Sequence, residues 1–234
     1  MSLSVESRHC GAVFVVRCAG RLVTGEEVTV LQKAIDRGLR EFPCIVLDTA
    51  EVTRVDSTGM GLLVRSLSHT RSRGGDLRLA AVPPFLQNLL QITKLSTIFL
   101  VYASEEEAIV SFLKDKATPK KEKVATGPTV LFVDQSADVC AFVRGLLHNH
   151  GYEVITTCRV QDARLLLMAG KVDIIVLGPD CSNLSSDNVV ASFKTLAPSA
   201  RTIVLHSDFK YEEAERASRD LLQKMESARP AEAT

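Results

Sequence analysis

Neither sign of charge is in excess in this sequence: 28 lysines and arginines balance 28 aspartates and glutamates. That balance argues against a broad nucleic-acid footprint and against electrostatic attachment to a membrane surface. Long apolar runs are missing too, and none approaches the roughly 18 residues needed to span a bilayer. The opening residues, Met1-Ser2-Leu3-Ser4-Val5-Glu6, lack the basic region and apolar run of a secretory leader, so none is expected. The six cysteines, Cys10, Cys18, Cys44, Cys140, Cys158 and Cys181, form no Cys-x-x-Cys pair. Only Cys10 has a histidine beside it, His9. This usage predicts reduced, mostly buried thiols in a cytosolic protein, with no metal site.

What is present is apolar and periodic. The chain has 234 residues, 46% of them hydrophobic, enough for one or two domains with real cores. The clearest break is the lysine-rich stretch Lys116 to Pro128, which carries two prolines and almost nothing apolar. It reads as a solvated linker between a domain at 1–115 and another at 129–234.

Ahead of the linker, strands and helices alternate. Leu3 to Arg8 and Val13 to Cys18 are β-rich, with His9-Cys10-Gly11 able to turn between them. Glu26 to Leu39 has a helical period, and Cys44 to Leu47 is a short apolar run suited to a buried strand. Ser57 to Arg73 is helical and closes at Gly74-Gly75. Leu77 to Val82 and Ile98 to Tyr102 are strands, with a helix started by Pro84 between them. Ser104 and Glu107 form a capping box that opens a last helix, to about Lys114. The order ββαβαβαβα predicts a mixed sheet with an initial hairpin and packed helices. After the linker the predicted strands are Thr129 to Val133, Glu153 to Thr157, Asp173 to Leu177 and Arg201 to Leu205. Helices follow each, and the last is a long charged one from Tyr211 to about Ser227. This βαβαβαβα alternation predicts a parallel α/β sheet.

One stretch packs hydroxyls and glycines around an acid: Asp56-Ser57-Thr58-Gly59-Met60-Gly61. On these residues alone, Ser57 or Thr58 can cap the helix by accepting from its free N–H groups, worth about 1 kcal/mol. A serine nucleophile would need a base and an oxyanion site. The stretch is not a Gly-x-Ser-x-Gly elbow. His69 lies about three turns along the same helix, roughly 18 Å away, too far to serve as base.

The motif, preceded by Ile45-Val46-Leu47-Asp48 and followed by Gly74-Gly75-Asp76-Leu77-Arg78-Leu79, resembles the STAS family of anti-sigma-factor antagonists. The resemblance covers residues 3–114. It implies a non-enzymatic, cytoplasmic regulator of bacterial transcription that works by partner switching. The serine after the motif's aspartate, Ser57, would be phosphorylated by an anti-sigma factor that is also a serine kinase of the GHKL type, with Thr58 as secondary candidate. The partner face would comprise Asp56, Gly59, Met60, Gly61, Arg21 and Thr24. ATP and magnesium would belong to the kinase, leaving this chain with no cofactor. Many antagonists carry an acidic residue, a hydrophobe and an aspartate after the second strand; here the segment reads Gly20-Arg21-Leu22-Val23-Thr24-Gly25. STAS domains also occur in transporters and sensory scaffolds, so binding without phosphorylation is the alternative.

The second half, with Val130-Leu131-Phe132-Val133-Asp134 and Asp173-Ile174-Ile175-Val176-Leu177, resembles a response-regulator receiver of flavodoxin-like fold that lacks its fifth strand. A receiver needs two acids after its first strand, an aspartate after its third and a hydroxyl after its fourth. This sequence offers Asp134 but Gln135, Gly178 with Asp180 two residues on, and His206. The expected role is therefore a pseudo-receiver that interacts without phosphotransfer. The missing strand and helix favour a homodimer or docking onto the first half.

Overall fold

The computed structural model describes residues 2–117, 127–184, 187–205, 209 and 214–227. The middle of the expected linker, His206 and Tyr211 lie outside the described residues. The chain divides into two compact units, Met1–Asp115 and Lys116–Thr234.

The first unit contains β1 (Ser4–Cys10), β2 (Val13–Leu22), α1 (Glu26–Gly38), β3 (Cys44–Val55), α2 (Ser57–Ser72), β4 (Asp76–Ala80), α3 (Pro84–Ile92), β5 (Leu100–Tyr102) and α4 (Glu105–Ala117). Its sheet runs β5-β4-β3-β2-β1. The β1–β2 hairpin is antiparallel, and the other pairs are parallel. Strand alternation then sorts the side chains by face. Ile45, Leu47, Leu77 and Leu79 meet Leu31 and Ile35 of α1, Leu62, Leu63 and Leu67 of α2, and Leu86 and Leu90 of α3 in one core. Each fully buried leucine there contributes about 2 kcal/mol.

Arg78, one residue out of phase, points to the other face. It lies 3.7 Å over the Phe112 ring and bonds Ser111 and Asp115, all on α4. The start of α4 is fixed by Glu105, which is buried and bridges Arg8 and Arg17. Half of the expected capping box is present, Glu107 N–H donating to Ser104 Oγ at 3.2 Å; the Glu107 carboxylate reaches one residue further back and accepts from Ala103 N–H at 3.2 Å.

Strand β3 is much longer than its apolar run. Cys44 to Asp48 pair with β4, while the rest, to Val55, pairs with β2 alone. Exposed Glu51, Thr53 and Arg54 interrupt the hydrophobic pattern, but a strand with solvent on one side needs no continuous apolar run.

The second unit contains β6 (Thr129–Val133), α5 (Ala137–Asn149), β7 (Glu153–Thr157), α6 (Val160–Ala169), β8 (Ile174–Leu177), a 3₁₀ segment (Pro179–Leu184), α7 (Asp187–Leu196), β9 (Arg201–Val204) and α8 (Ala214–Ser227). All its strand pairs are parallel, in the order β7-β6-β8-β9. Val130, Phe132, Ile174 and Val176 face a core shared with Val139, Val143 and Leu147 of α5. Ala217, Leu221 and Met225 of α8 complete that core. The thin apolar stripe of the terminal helix thus covers a face of its own unit. The equally buried Leu131, Val133, Ile175 and Leu177 are out of phase and face the other way.

Candidate functional site

The corner between β3 and α2 is held by one side chain. Asp56 has extended backbone and caps α2, its Oδ1 accepting from Gly59 N–H at 2.8 Å. Its Oδ2 accepts from Thr24 N–H at 2.8 Å and from Thr24 Oγ1 at 3.0 Å. These donors, Gly59 first and Thr24 next, hold the Asp56 carboxyl below the usual carboxylate range. The cap expected of Ser57 or Thr58 therefore belongs to Asp56. A carboxylate accepts from several N–H groups at once and carries charge toward the positive end of the helix, so it outcompetes a hydroxyl.

The two hydroxyls after it differ. Thr58 Oγ1 lies 2.6 Å from Thr24 Oγ1, closing a Thr24–Asp56–Thr58 cluster. Ser57, the first residue of α2, is exposed, and among the described residues nothing bonds its hydroxyl. His69 sits near the other end of α2, 3.5 Å from Asp36.

The expected partner-face residues split by burial. Arg21, Thr24 and Ser57 are exposed, and Asp56 and Gly61 are partly so. Met60 is only 7% exposed and belongs to the core, and Gly59 is buried. A Cβ on Gly59 would stand 2.3 Å from the Leu22 carbonyl oxygen, whereas one on Gly61 would meet nothing closer than Arg65 Nη1 at 3.8 Å. Gly59 thus lets α2 approach the end of β2, and Asp56 N–H donates to that same Leu22 oxygen at 3.2 Å.

A family model for the STAS domain matches residues 4–108. The anti-sigma F factor antagonist of Paenibacillus polymyxa is 30% identical over 112 residues, covering 47% of this chain and 94% of that protein. The chain belongs to the STAS-domain family. Among solved structures, an anti-sigma factor antagonist from Mycobacterium paratuberculosis is 21% identical, over 47% of this chain and 93% of that one, with a TM-score of 0.43. The Bacillus cell fate determinant SpoIIAA in its phosphorylated form is 20% identical, over 47% of this chain and 99% of that one, with a TM-score of 0.41. The STAS match thus lies within the first unit and leaves the second outside it.

Beyond the STAS unit, the carboxyl ends of β6, β7 and β8 form a second polar crevice. Asp134 follows β6 and is fully buried. Its Oδ1 accepts from Ser136 N–H at 2.8 Å, and its Oδ2 from Asp180 N–H at 3.1 Å. Burial pushes the Asp134 carboxyl up, against the pull of those two donors. Gly178 follows β8, and a Cβ there would lie 2.0 Å from Asp134 Oδ2. The retained acid fills the space that a side chain at 178 would need. Gln135 is exposed and lines a cavity of about 490 Å³ together with Cys158, Arg159, Val160, Gln161 and Cys181. Asp180 is exposed, at the start of the 3₁₀ segment. Among the described residues no helix is long and apolar enough to cross a membrane.

Proposed function

We propose that this protein is an anti-sigma-factor antagonist switched by phosphorylation of Ser57. One observation carries the reading. Of the two hydroxyls at the α2 N-terminus, Ser57 stands exposed at the first helical position while Thr58 is tied to Thr24. The relationship to the Paenibacillus polymyxa antagonist supports the partner class. That partner is an anti-sigma factor with serine kinase activity of the GHKL type, and the antagonist itself is a cytoplasmic binder rather than an enzyme.

A phosphoryl group adds about −1.5 to −2 charges. The positive end of α2 favours that charge within the domain, so folding loses little. Asp56 beside it adds a like charge, and Thr24 belongs to the same cluster. A partner seated on this corner therefore meets a poorly neutralised dianion and leaves. The second unit serves as a pseudo-receiver joined by the linker: its parallel sheet order and retained Asp134 support the likeness, while Gln135 and the crowded Gly178 argue against phosphotransfer.

Incubation of the full chain with its cognate kinase and ATP-Mg tests the switch by intact mass. One phosphate on the native chain and none on Ser57→Ala is the expected result. Modification that persists in that variant, at Thr58 or elsewhere, overturns it. So does a phosphorylated chain that binds its partner as tightly as before, which would favour a scaffold that binds without phosphorylation.

A further inference from the structure

The crevice of the second unit gathers sulfur where a receiver would gather carboxylates. Cys158 follows β7, Cys140 lies in the first turns of α5, and Cys181 lies in the 3₁₀ segment after β8. Cys158 and Cys181 line the cavity beside Asp134, with Arg159, Gln135 and Gln161 on the same walls. The Cys140 and Cys158 sulfurs lie within 4.8 Å of each other. They differ in access: Cys158 is partly exposed at the cavity, and Cys140 is buried behind it.

We propose that Cys158 and Cys140 are a peroxide-sensitive dithiol, in which the Cys158 sulfur is oxidised from the cavity and Cys140 closes the disulfide. In the first step the Cys158 thiolate attacks one oxygen of hydrogen peroxide. An S–O bond forms, the O–O bond breaks, and hydroxide leaves and is protonated to water. In the second step the Cys140 sulfur attacks the Cys158 sulfur. The S–S bond forms, the S–O bond breaks, and a second water departs with the Cys140 proton. The two thiols lose two electrons, and one peroxide is reduced to two waters.

The surroundings assign the roles. Cys140 is held strongly in its protonated form, first by its hydrogen bond with Cys158, then by burial and by the charges of Cys158 and Asp134. Its sulfur also lies 3.4 Å from the Asp134 carbonyl oxygen, a place for its proton. Of the pair, Cys158 is the sulfur that reaches the cavity, whose walls also carry Arg159, so peroxide meets it first. Cys181, on the same cavity, is pushed up to about 12, mainly by burial, and stays a thiol. Disulfide formation draws the two sulfurs to about 2.0 Å and ties α5 to the end of β7. The chemistry is independent of Ser57.

The test uses the reduced full chain, treated with hydrogen peroxide and then alkylated. None of the six cysteines is in a disulfide at the start. Intact mass should show the loss of two alkylatable thiols, and peptide mapping should recover a Cys140–Cys158 cross-link. In Cys140→Ser, Cys158 should accumulate as a sulfenic acid that dimedone traps. In Cys158→Ser, peroxide should leave every remaining thiol alkylatable, and Cys181→Ser should behave as the native chain. Complete alkylation of the native chain after peroxide, or a bridge mapping to Cys158–Cys181 or another pair, overturns the proposal. Mapping of the native chain decides this even where a serine variant fails to fold.

Discussion

Gly59 and Gly61 are two residues apart on α2, yet the same substitution should move stability in opposite directions. Alanine favours a helix interior over glycine by about 0.5–1 kcal/mol, so each site starts with that gain. At Gly61 the new methyl meets only the end of Arg65, at 3.8 Å, and the gain survives. At Gly59 it lands 2.3 Å from the Leu22 carbonyl oxygen, 2.9 Å from Leu22 Cγ and 3.1 Å from Val55 Cγ1. Backbone must then shift, at a cost of roughly 1–3 kcal/mol, toward the upper end because that oxygen also accepts the Asp56 N–H. Net destabilisation at Gly59 is about 1–2 kcal/mol, leaving the two variants roughly 2–3 kcal/mol apart. Hydrogen exchange of α2 peptides across a urea series reads the first unit separately from the second. Gly59→Ala should lower the urea midpoint and Gly61→Ala raise it slightly. Equal midpoints would refute the close packing of α2 against β2. Partner binding adds an independent check: any loss in Gly61→Ala, whose fold is intact, locates the partner on that open face.

Three further outcomes are expected. Restoring an acceptor with Gly178→Asp should cost at least about 2 kcal/mol, because its Cβ collides with Asp134 Oδ2, and calorimetry should still detect no beryllofluoride binding. The lowered pKa of Asp56 contributes stability that is fully present above its unfolded value, near about 4, and lost as pH falls through the folded value; Asp56→Asn should remove that part of the acid limb of a melting curve. Leu221→Ala should destabilise the second unit by about 3 kcal/mol in a denaturant titration, while Glu226→Ala, exposed on the same helix, should stay within about 0.5 kcal/mol.

Periodicity made most of the elements legible before any coordinates. Ala137–Asn149 and Glu153–Thr157 match their expected bounds, because apolar period and cap signals agree there. Strand β3 was legible only to Leu47, since its distal half carries charge on the open side and borrows its pairing from β2. The Asp-Ser-Thr corner was legible as a site, but not the choice of cap. That choice depends on Thr24, whose contact with Asp56 spans 32 positions. Met60 reads as surface in a motif and as core in three dimensions, because helical phase turns it inward with Leu63 and Leu67. The pairing of Asp134 with Gly178 and the approach of Cys140 to Cys158 join different elements, and local pattern carries no trace of either.

Beyond Asp48, among the described residues, β3 has β2 on one side and no pairing with β4 on the other. The Asp56 corner therefore stands at the end of a narrowed extension of the sheet, whose Leu22 and Val52 still reach the core under α2. Register shifts between Arg17 and Ala19 and between Gly20 and Arg21 interrupt its ladder twice. A ribbon of two strands twists further than a full sheet, and bulges sharpen that twist. A protein gripping the corner therefore also loads α2, whose N-terminus Asp56 caps, and through Leu22 and Val52 the core itself.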